Sequence, residues 1–390
     1  MYNPKKTAAM KILFVIDTYQ TNNNGTSISA QRFAAGLRQR GHEVRILTTG
    51  EPQENIYALD EVRIPFFHGL IAKHGFQFAA RQTTVVAEAV AWADVVHCFM
   101  PFALESYAKR IADRLGKPAT AAFHIQPENL TSSVNLGKVT WITNAVYQGF
   151  RRFIYDRFTH VHTPSQFMAG EIKKRGYSAN IHVISNGIND DFVWTKRPKQ
   201  KEFEGKILLM MVGRLSVEKR QDVIINAVKY SKYADKIQLI FAGKGPKYED
   251  YVEMGKSLKN PPIFAYYTRN ELINMLAQCD LYVHASDMES EAISCIEAFA
   301  TGLVPVIANS ELSATPQFAL DGRSLFLPGS PKDLARAIDY WLDHPEERAH
   351  MEHCYAKMAE NYRIENSLQK FEEMLYEAVA EYASAELIPA

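Results

Sequence analysis

Asp287-Met-Glu289-Ser-Glu291-Ala-Ile-Ser-Cys-Ile-Glu297-Ala-Phe-Ala-Thr-Gly302, running on into Leu303-Val-Pro-Val-Ile-Ala308, is the stretch from which the fold is read. Ala292, Ile293, Ile296 and Ala300 recur at helical spacing, Gly302 can take the left-handed conformation that ends a helix, and the apolar run after it predicts a buried strand. The order is loop, helix, strand, with Glu289 on the loop and Glu297 inside the helix. In an open parallel sheet, ligands bind beyond the strand C-termini. There helix N-termini offer unpaired N–H groups to phosphates, and nearby carboxylates can grip ribose or sugar hydroxyls.

The same alternation extends in both directions. Upstream and downstream, Ile207 to Val212, Gln238 to Ala242, Ile263 to Tyr266, Leu281 to His284 and Ser324 to Leu327 read as further short strands of one doubly wound domain. The first half opens with a βαβ pattern: Ile12 to Ile16, a loop at Gly25, a helix to Arg40, then Val44 to Leu47. Strands at Val95 to Cys98, Ala119 to Phe123, Val161 to Thr163 and His182 to Ile184 continue it. Their lack of period-2 alternation indicates burial on both faces, as parallel sheets require. Thr195 to Gly205 is charged, holds a proline and lacks apolar periodicity, so it is expected to link a first domain, residues 1–195, to a second, residues 206–366. Leu368, Phe371, Leu375, Val379 and Tyr382 form a final helical stripe, expected to return to the first domain within about residues 367–390.

A chain of 390 residues, 47% hydrophobic, can bury two cores. Cys98, Cys279, Cys295 and Cys354 show no C-x-x-C spacing, which argues against a structural metal and for a reduced, cytoplasmic protein. Without a run of 18 apolar residues, no membrane span is expected. Residues 1–200 hold 24 Lys and Arg against 15 Asp and Glu, leaving 20 against 29 in the remainder. That asymmetry can turn the first half toward an anionic surface or acceptor; it equally fits two halves that attract each other. No nucleic-acid partner is expected.

Val212-Gly213-Arg214-Leu-Ser-Val-Glu218-Lys219-Arg220 runs a strand into a glycine turn with two cations five residues apart. Arg214 can fork onto phosphate oxygens and Lys219 can add a point charge, the pattern of a pyrophosphate clamp; the same residues also fit an exposed turn with surface cations. Gly25 closes the first strand's loop, where a missing side chain lets a phosphate approach the backbone. His124 follows a buried strand in Phe123-His124-Ile-Gln126-Pro-Glu128-Asn129, again at the C-terminal edge, with Glu128 within reach in sequence to hold its ring. Lone histidines are also commonly structural. Pro65 to Phe78, which includes Phe66 and Phe67, and Trp141 to Phe158, which includes Arg151, Arg152 and Arg157, mix aromatic and basic residues. Both suit a membrane interface, and the second equally suits a core helix with a solvated face.

Taken in order along the chain, these motifs resemble the retaining glycosyltransferases of the GT-B fold, in the large fourth family. The resemblance covers nearly the whole sequence and rests on the Glu289 and Glu297 pair together with Gly213, Arg214, Glu218 and Lys219. It implies two Rossmann-like domains facing across a cleft and a UDP-sugar donor held mainly by the second. Arg214 and Lys219 would meet the diphosphate, Glu297 the ribose, and Glu289 the transferred sugar. The backbone around Glu291, Ala292 and Ile293 would also face that sugar. The base would lie along Tyr266 and Tyr267, with Gly25 approaching the diphosphate. His124, with Glu289, would serve the reacting sugar, and Gln126 and Asn129 would lie on the acceptor side with Phe66, Phe67, Trp141, Arg151 and Arg152.

His124-x-Gln-Pro-Glu-Asn and Ala308-Asn-Ser-Glu-Leu-Ser-Ala-Thr315 resemble the bacterial branch that glycosylates diacylglycerol or related lipids. The implied activity is transfer of glucose or galactose from UDP to diacylglycerol or ceramide at the inner face of the cell membrane, by a peripheral, metal-independent enzyme without a cofactor. A capsule or lipopolysaccharide glycan acceptor, a nucleotide-sugar epimerase and a non-catalytic binding protein are the alternatives. Three positions depart from the family. Ser290-Glu291-Ala292 stands where many members have Gly-Phe-Gly, Lys244 where an acid is common, and Arg220 where glycine often follows the lysine.

Overall fold

The computed structural model describes residues 8–20, 25–62, 77–132 and 140–386. The chain divides into two compact units, Met1–Ser185 with Glu365–Ala390, and Asn186–Ile364.

The first unit is built on β1 (Lys11–Val15), β2 (Glu43–Thr49), β3 (Ile56–Leu59), β4 (Val95–Cys98), β5 (Ala119–Ala122), β6 (His160–Thr163) and β7 (Asn180–Val183). They form one parallel sheet in the order β3-β2-β1-β4-β5-β6-β7. The strand β3 escapes the sequence reading because Ile56-Tyr-Ala-Leu59 is a short, half-exposed edge strand. Central strands such as β4 are buried at every residue, which accounts for their unbroken apolar character.

The second unit holds β8 (Ile207–Val212), β9 (Ile237–Ala242), β10 (Ile263–Ala265), β11 (Leu281–His284), β12 (Pro305–Ala308) and β13 (Leu325–Phe326). Their order, β10-β9-β8-β11-β12-β13, repeats the same parallel winding. Asp287 to Ala308 folds as read, with a helix at Ile293–Ala300 and Gly302 at φ 95° just beyond it.

Thr195 to Gly205 lies inside the second unit. Arg197 N donates to Ala277 O at 2.9 Å, Lys199 pairs with Asp280 at 2.6 Å, and Phe203 is buried in the second core. Its charges mark a solvated strap with one apolar anchor, a pattern that composition alone does not separate from a linker.

The last helix, Ile364–Glu386, packs within the first unit. Phe371 is fully buried, its ring centroid 4.8 Å from Phe33 and 4.7 Å from His97. Arg40 pairs with Glu372 and, at 2.6 Å, with Glu365; His42 Nε2 meets Glu372 at 2.8 Å. An apolar stripe and a polar rim together hold the helix to the sheet.

Candidate functional site

In each sheet the winding reverses beside the first strand, between β1 and β4 and between β8 and β11. Crevices outside the strand C-termini at such points are where open α/β sheets bind ligands. In the second unit, β8 delivers Gly213 and Arg214 to this position and β11 delivers His284 and the loop that carries Glu289.

Glu289 sits between two partners. Its Oε1 accepts from Lys219 Nζ and lies 3.0 Å from His284 Nε2, on a histidine that is completely buried. Burial raises the Glu289 carboxyl, but the Lys219 ammonium and the His284 bond outweigh it and hold the group far below the usual carboxylate range. It is therefore an ionised, pre-aimed acceptor at neutral pH. The backbone fixes it as well: Ala314 N donates to Glu289 O at 2.8 Å, and Glu289 bridges Ser313 in parallel register.

Lys219 is set by the turn after β8. Gln221 Nε2 donates to Arg214 O at 2.9 Å, and Ser216 Oγ to Glu218 Oε1 at 2.5 Å, while the Arg214 side chain is exposed. The neighbouring loop after β9 fits because Gly243 has no side chain. A Cβ there would fall 2.0 Å from Gly213 O.

Two of the family departures acquire a physical meaning. Arg220 has φ 55° and ψ 40°, the left-handed region that suits glycine; its guanidinium meets Asp222 at 3.1 Å and Asp287 at 3.2 Å, which offsets the strain. Ala292 also lies in that region, at φ 70° and ψ 67°. This turn starts the helix Ile293–Ala300, which has no side-chain N-cap. Lys244, the third departure, places its Nζ 4.8 Å from the centroid of the exposed Tyr266 ring.

The remaining sequence-selected residues of this unit occupy distinct places. Glu291 is turned inward, its Oε2 accepting from Asn186 N at 3.0 Å and Asn186 Nδ2 at 2.5 Å, so the backbone of this turn is what it can offer a ligand. Glu297 lies one turn into the helix and is nearly buried. Tyr267, half-buried, follows Tyr266 at the end of β10.

In the first unit, His124 is buried just beyond β5. It stacks on Phe99 at 6.0 Å and meets the His162 ring edge-on at 4.8 Å. Burial and His162 push its pKa well below the ordinary value, so the ring is neutral, and Nε2 has no hydrogen-bond partner among the described residues. The sequence suggestion that Glu128 holds this ring is corrected: Glu128 accepts from Tyr147 OH at 3.1 Å and lies 3.8 Å from Arg175. Gln126 is buried and Asn129 exposed. Gly25 begins the helix Gly25–Gln39 with open space where a Cβ would stand.

Phe66 and Phe67 lie outside the described residues. The helix Thr140–Phe153 buries Thr143 and Tyr147 and exposes Trp141 and Phe153, each at 73%. Arg152 is exposed, but Arg151 is engaged locally, donating to Arg175 O at 3.1 Å and lying 3.5 Å from Asp156. Sequence reasoning missed His284, although the positional argument applied to His124, a histidine ending a buried strand at the ligand edge, applies to it equally.

Comparison with known proteins follows the same division. The glycosyl transferases group 1 model matches residues 192–372, and the glycosyltransferase family 4 model matches residues 23–192. Alpha-monoglucosyldiacylglycerol synthase of Streptococcus pneumoniae is 26% identical over 320 residues, 77% of this chain and 71% of that protein. GDP-mannose-dependent alpha-mannosyltransferase of Corynebacterium glutamicum is 24% identical over 324 residues, 76% of this chain and 72% of that one. Among solved structures, HepE of Anabaena in complex with UDP superposes with TM-score 0.73 at 17% identity, over 94% of this chain and all of its own. The catalytic domain of cholesterol-alpha-glucosyltransferase from Helicobacter pylori matches at 51% identity and TM-score 0.39, over 40% of this chain and 98% of that domain.

Two doubly wound parallel sheets, with a cation and carboxylate set at the switch point of the second, define a GT-B glycosyltransferase. The chain belongs to glycosyltransferase family four.

Proposed function

We propose that this enzyme moves glucose or galactose, with retention of configuration, from UDP to the hydroxyl of a membrane lipid such as diacylglycerol or ceramide. The observation that carries the donor half is Glu289, kept ionised between Lys219 and His284 at the end of β11. An anionic acceptor of this kind suits sugar hydroxyls, and an adjacent lysine suits a diphosphate. The lipid half is supported by the likeness to alpha-monoglucosyldiacylglycerol synthase and by the exposed Trp141, Phe153 and Arg152. The surface would work at the inner face of the cell membrane.

In this reading Arg214 and Lys219 neutralise the charge that grows on the departing diphosphate, and N–H groups at the start of the helix Ile293–Ala300 add their dipole. Lys219 would exchange part of its bond with Glu289 for phosphate oxygens. Glu297 takes the ribose, and the backbone beside Tyr266 and Tyr267 takes the base. Glu289 orients the donor sugar while the acceptor hydroxyl attacks from the face the diphosphate leaves, its proton passing to phosphate. No protein nucleophile is used. Neutral His124, whose Nε2 has no partner among the described residues, positions and polarises on the first unit. Gly25 admits close approach of a phosphate to the backbone.

The test offers purified protein labelled UDP-glucose, UDP-galactose or GDP-mannose with vesicles that carry diacylglycerol, ceramide or cholesterol, and counts label extracted into organic solvent. Label in the organic phase from a UDP-hexose, with an α-anomeric proton in the product's NMR spectrum, is expected. Label only from GDP-mannose, or only in water-soluble glycan, would replace the donor or the acceptor in this reading. Excess EDTA is expected to leave the rate unchanged; loss of activity restored by magnesium would refute metal-independent transfer.

A further inference from the structure

The first unit contains a cavity of about 730 Å³ that the donor chemistry does not use. Its walls are mainly apolar, with Phe78, Pro101, Phe102, Leu104 and Ile154 among them, and exposed Phe153 also lines it. The volume lies within the range of pockets that enclose small organic ligands, roughly 300–1,000 Å³. Among the described lining residues, Asp17 is the one acid. Asp17, 1% exposed just beyond β1, lines the cavity and is hydrogen-bonded to the wholly buried Glu105. Asp17 Oδ1 accepts from Ala79 N at 2.8 Å, whereas Asp17 Oδ2 and both Glu105 oxygens have no partner among the described residues beyond this carboxyl pairing.

Burial pushes Asp17 up to about 6, and burial with the Asp17 charge pushes Glu105 well above the usual range, so the pair retains a proton. A buried acidic pair rejects an anionic head and leaves lone pairs for a hydroxyl donor. Among the described residues, the two cations on the lining, Arg81 and Arg110, are both exposed, and Arg81 stacks on Tyr107 at 4.4 Å. They are suited to phosphates of a surrounding bilayer rather than to the ligand inside.

We propose that this cavity binds a neutral membrane lipid with one free hydroxyl, its apolar body against Phe78, Phe102, Leu104 and Ile154 and its hydroxyl turned to the Asp17 carboxyl. That the bound lipid is the acceptor rests on the lipid-transfer function proposed above. The binding site itself does not.

The experiment measures retention of radiolabelled 1,2-dioctanoylglycerol, its 3-O-acetyl ester and dioctanoyl phosphatidic acid by the full-length protein, without any nucleotide sugar. The wild type is expected to retain the alcohol at least about tenfold better than the ester, since a site built around a hydroxyl penalises its loss. Ser106→Phe, on the cavity wall, and Ala103→Trp, at an exposed lining position, are expected to abolish retention without lowering Tm or UDP binding. In Asp17→Asn the preference for alcohol over ester is expected to shrink. Unchanged retention in both plugged variants, no retention by the wild type, or tighter binding of phosphatidic acid would each overturn the proposal. Transfer assays on the same variants separate the two readings. Retention that the plugs remove, in a protein that transfers no sugar to any lipid, keeps the cavity and sinks lipid transfer. Full transfer by plugged protein sinks the cavity as the acceptor's seat while lipid transfer stands.

Discussion

At the scale of single residues, the two left-handed positions show how family glycines can be replaced. Arg220 keeps the backbone geometry through its bonds to Asp222 and Asp287, whereas the Ala292 methyl can form no compensating bond. A non-glycine residue in this region costs roughly 1–2 kcal/mol, and glycine returns part of that as unfolded-state entropy. Ala292→Gly is therefore expected to stabilise the protein by about 0.5–1 kcal/mol, seen as a Tm rise of roughly 1–4 °C by calorimetry. A fall in Tm would mean that the left-handed turn does not govern the helix start. Both glutamates and the cations were legible in sequence because their type and spacing alone carry the motif. The inward turn of Glu291 and the bond between His284 and Glu289 were not, since each joins residues by backbone direction rather than by spacing.

At the scale of elements, the last helix is the most informative. Its stripe Leu368, Phe371 and Leu375 was readable from period alone, while its partners come from strands and helices far away in the chain. Phe371→Ala removes a ring buried against Phe33, Phe14 and His97 and should cost the first unit about 3–5 kcal/mol, measured by urea unfolding. A loss below about 1 kcal/mol would show that the helix is not part of that core. The same core holds three buried histidines, His97, His124 and His162, with His162 pushed down to about 4 by burial. Each binds its proton more weakly folded than unfolded. Stability is thus complete above about 6.5 and falls as pH drops from there toward 4. Asp17, raised to about 6, acts in the opposite sense between its unfolded value of 3.8 and 6, and Glu105, held well above its unfolded value, also acts in that sense. Tm is expected to fall between pH 6.5 and 4.5, and to fall less in His162→Phe; an equal fall in the variant would exclude His162 as a source.

For the whole molecule, the charge asymmetry and the helix Thr140–Phe153 make one joint prediction. Trp141→Ala combined with Arg152→Ala should weaken sedimentation with anionic vesicles by at least about fivefold, given roughly 1 kcal/mol per basic residue near such a surface, and added salt should weaken the wild type too. Binding that neither change reduces would assign these side chains to ordinary solvated surface. The sequence by itself determined two doubly wound sheets, the ends of most strands, and the residues at the ligand edge of the second sheet. Those features follow from hydrophobic period, glycine position and motif spacing, all of which are local. Only the tertiary structure decided that Thr195 to Gly205 packs into the second unit, that Glu128 serves Tyr147 instead of His124, and that Asp17 and Glu105 meet at an apolar cavity. Each of these depends on which distant side chains share a dry, close-packed space, and burial is a property of the folded chain as a whole.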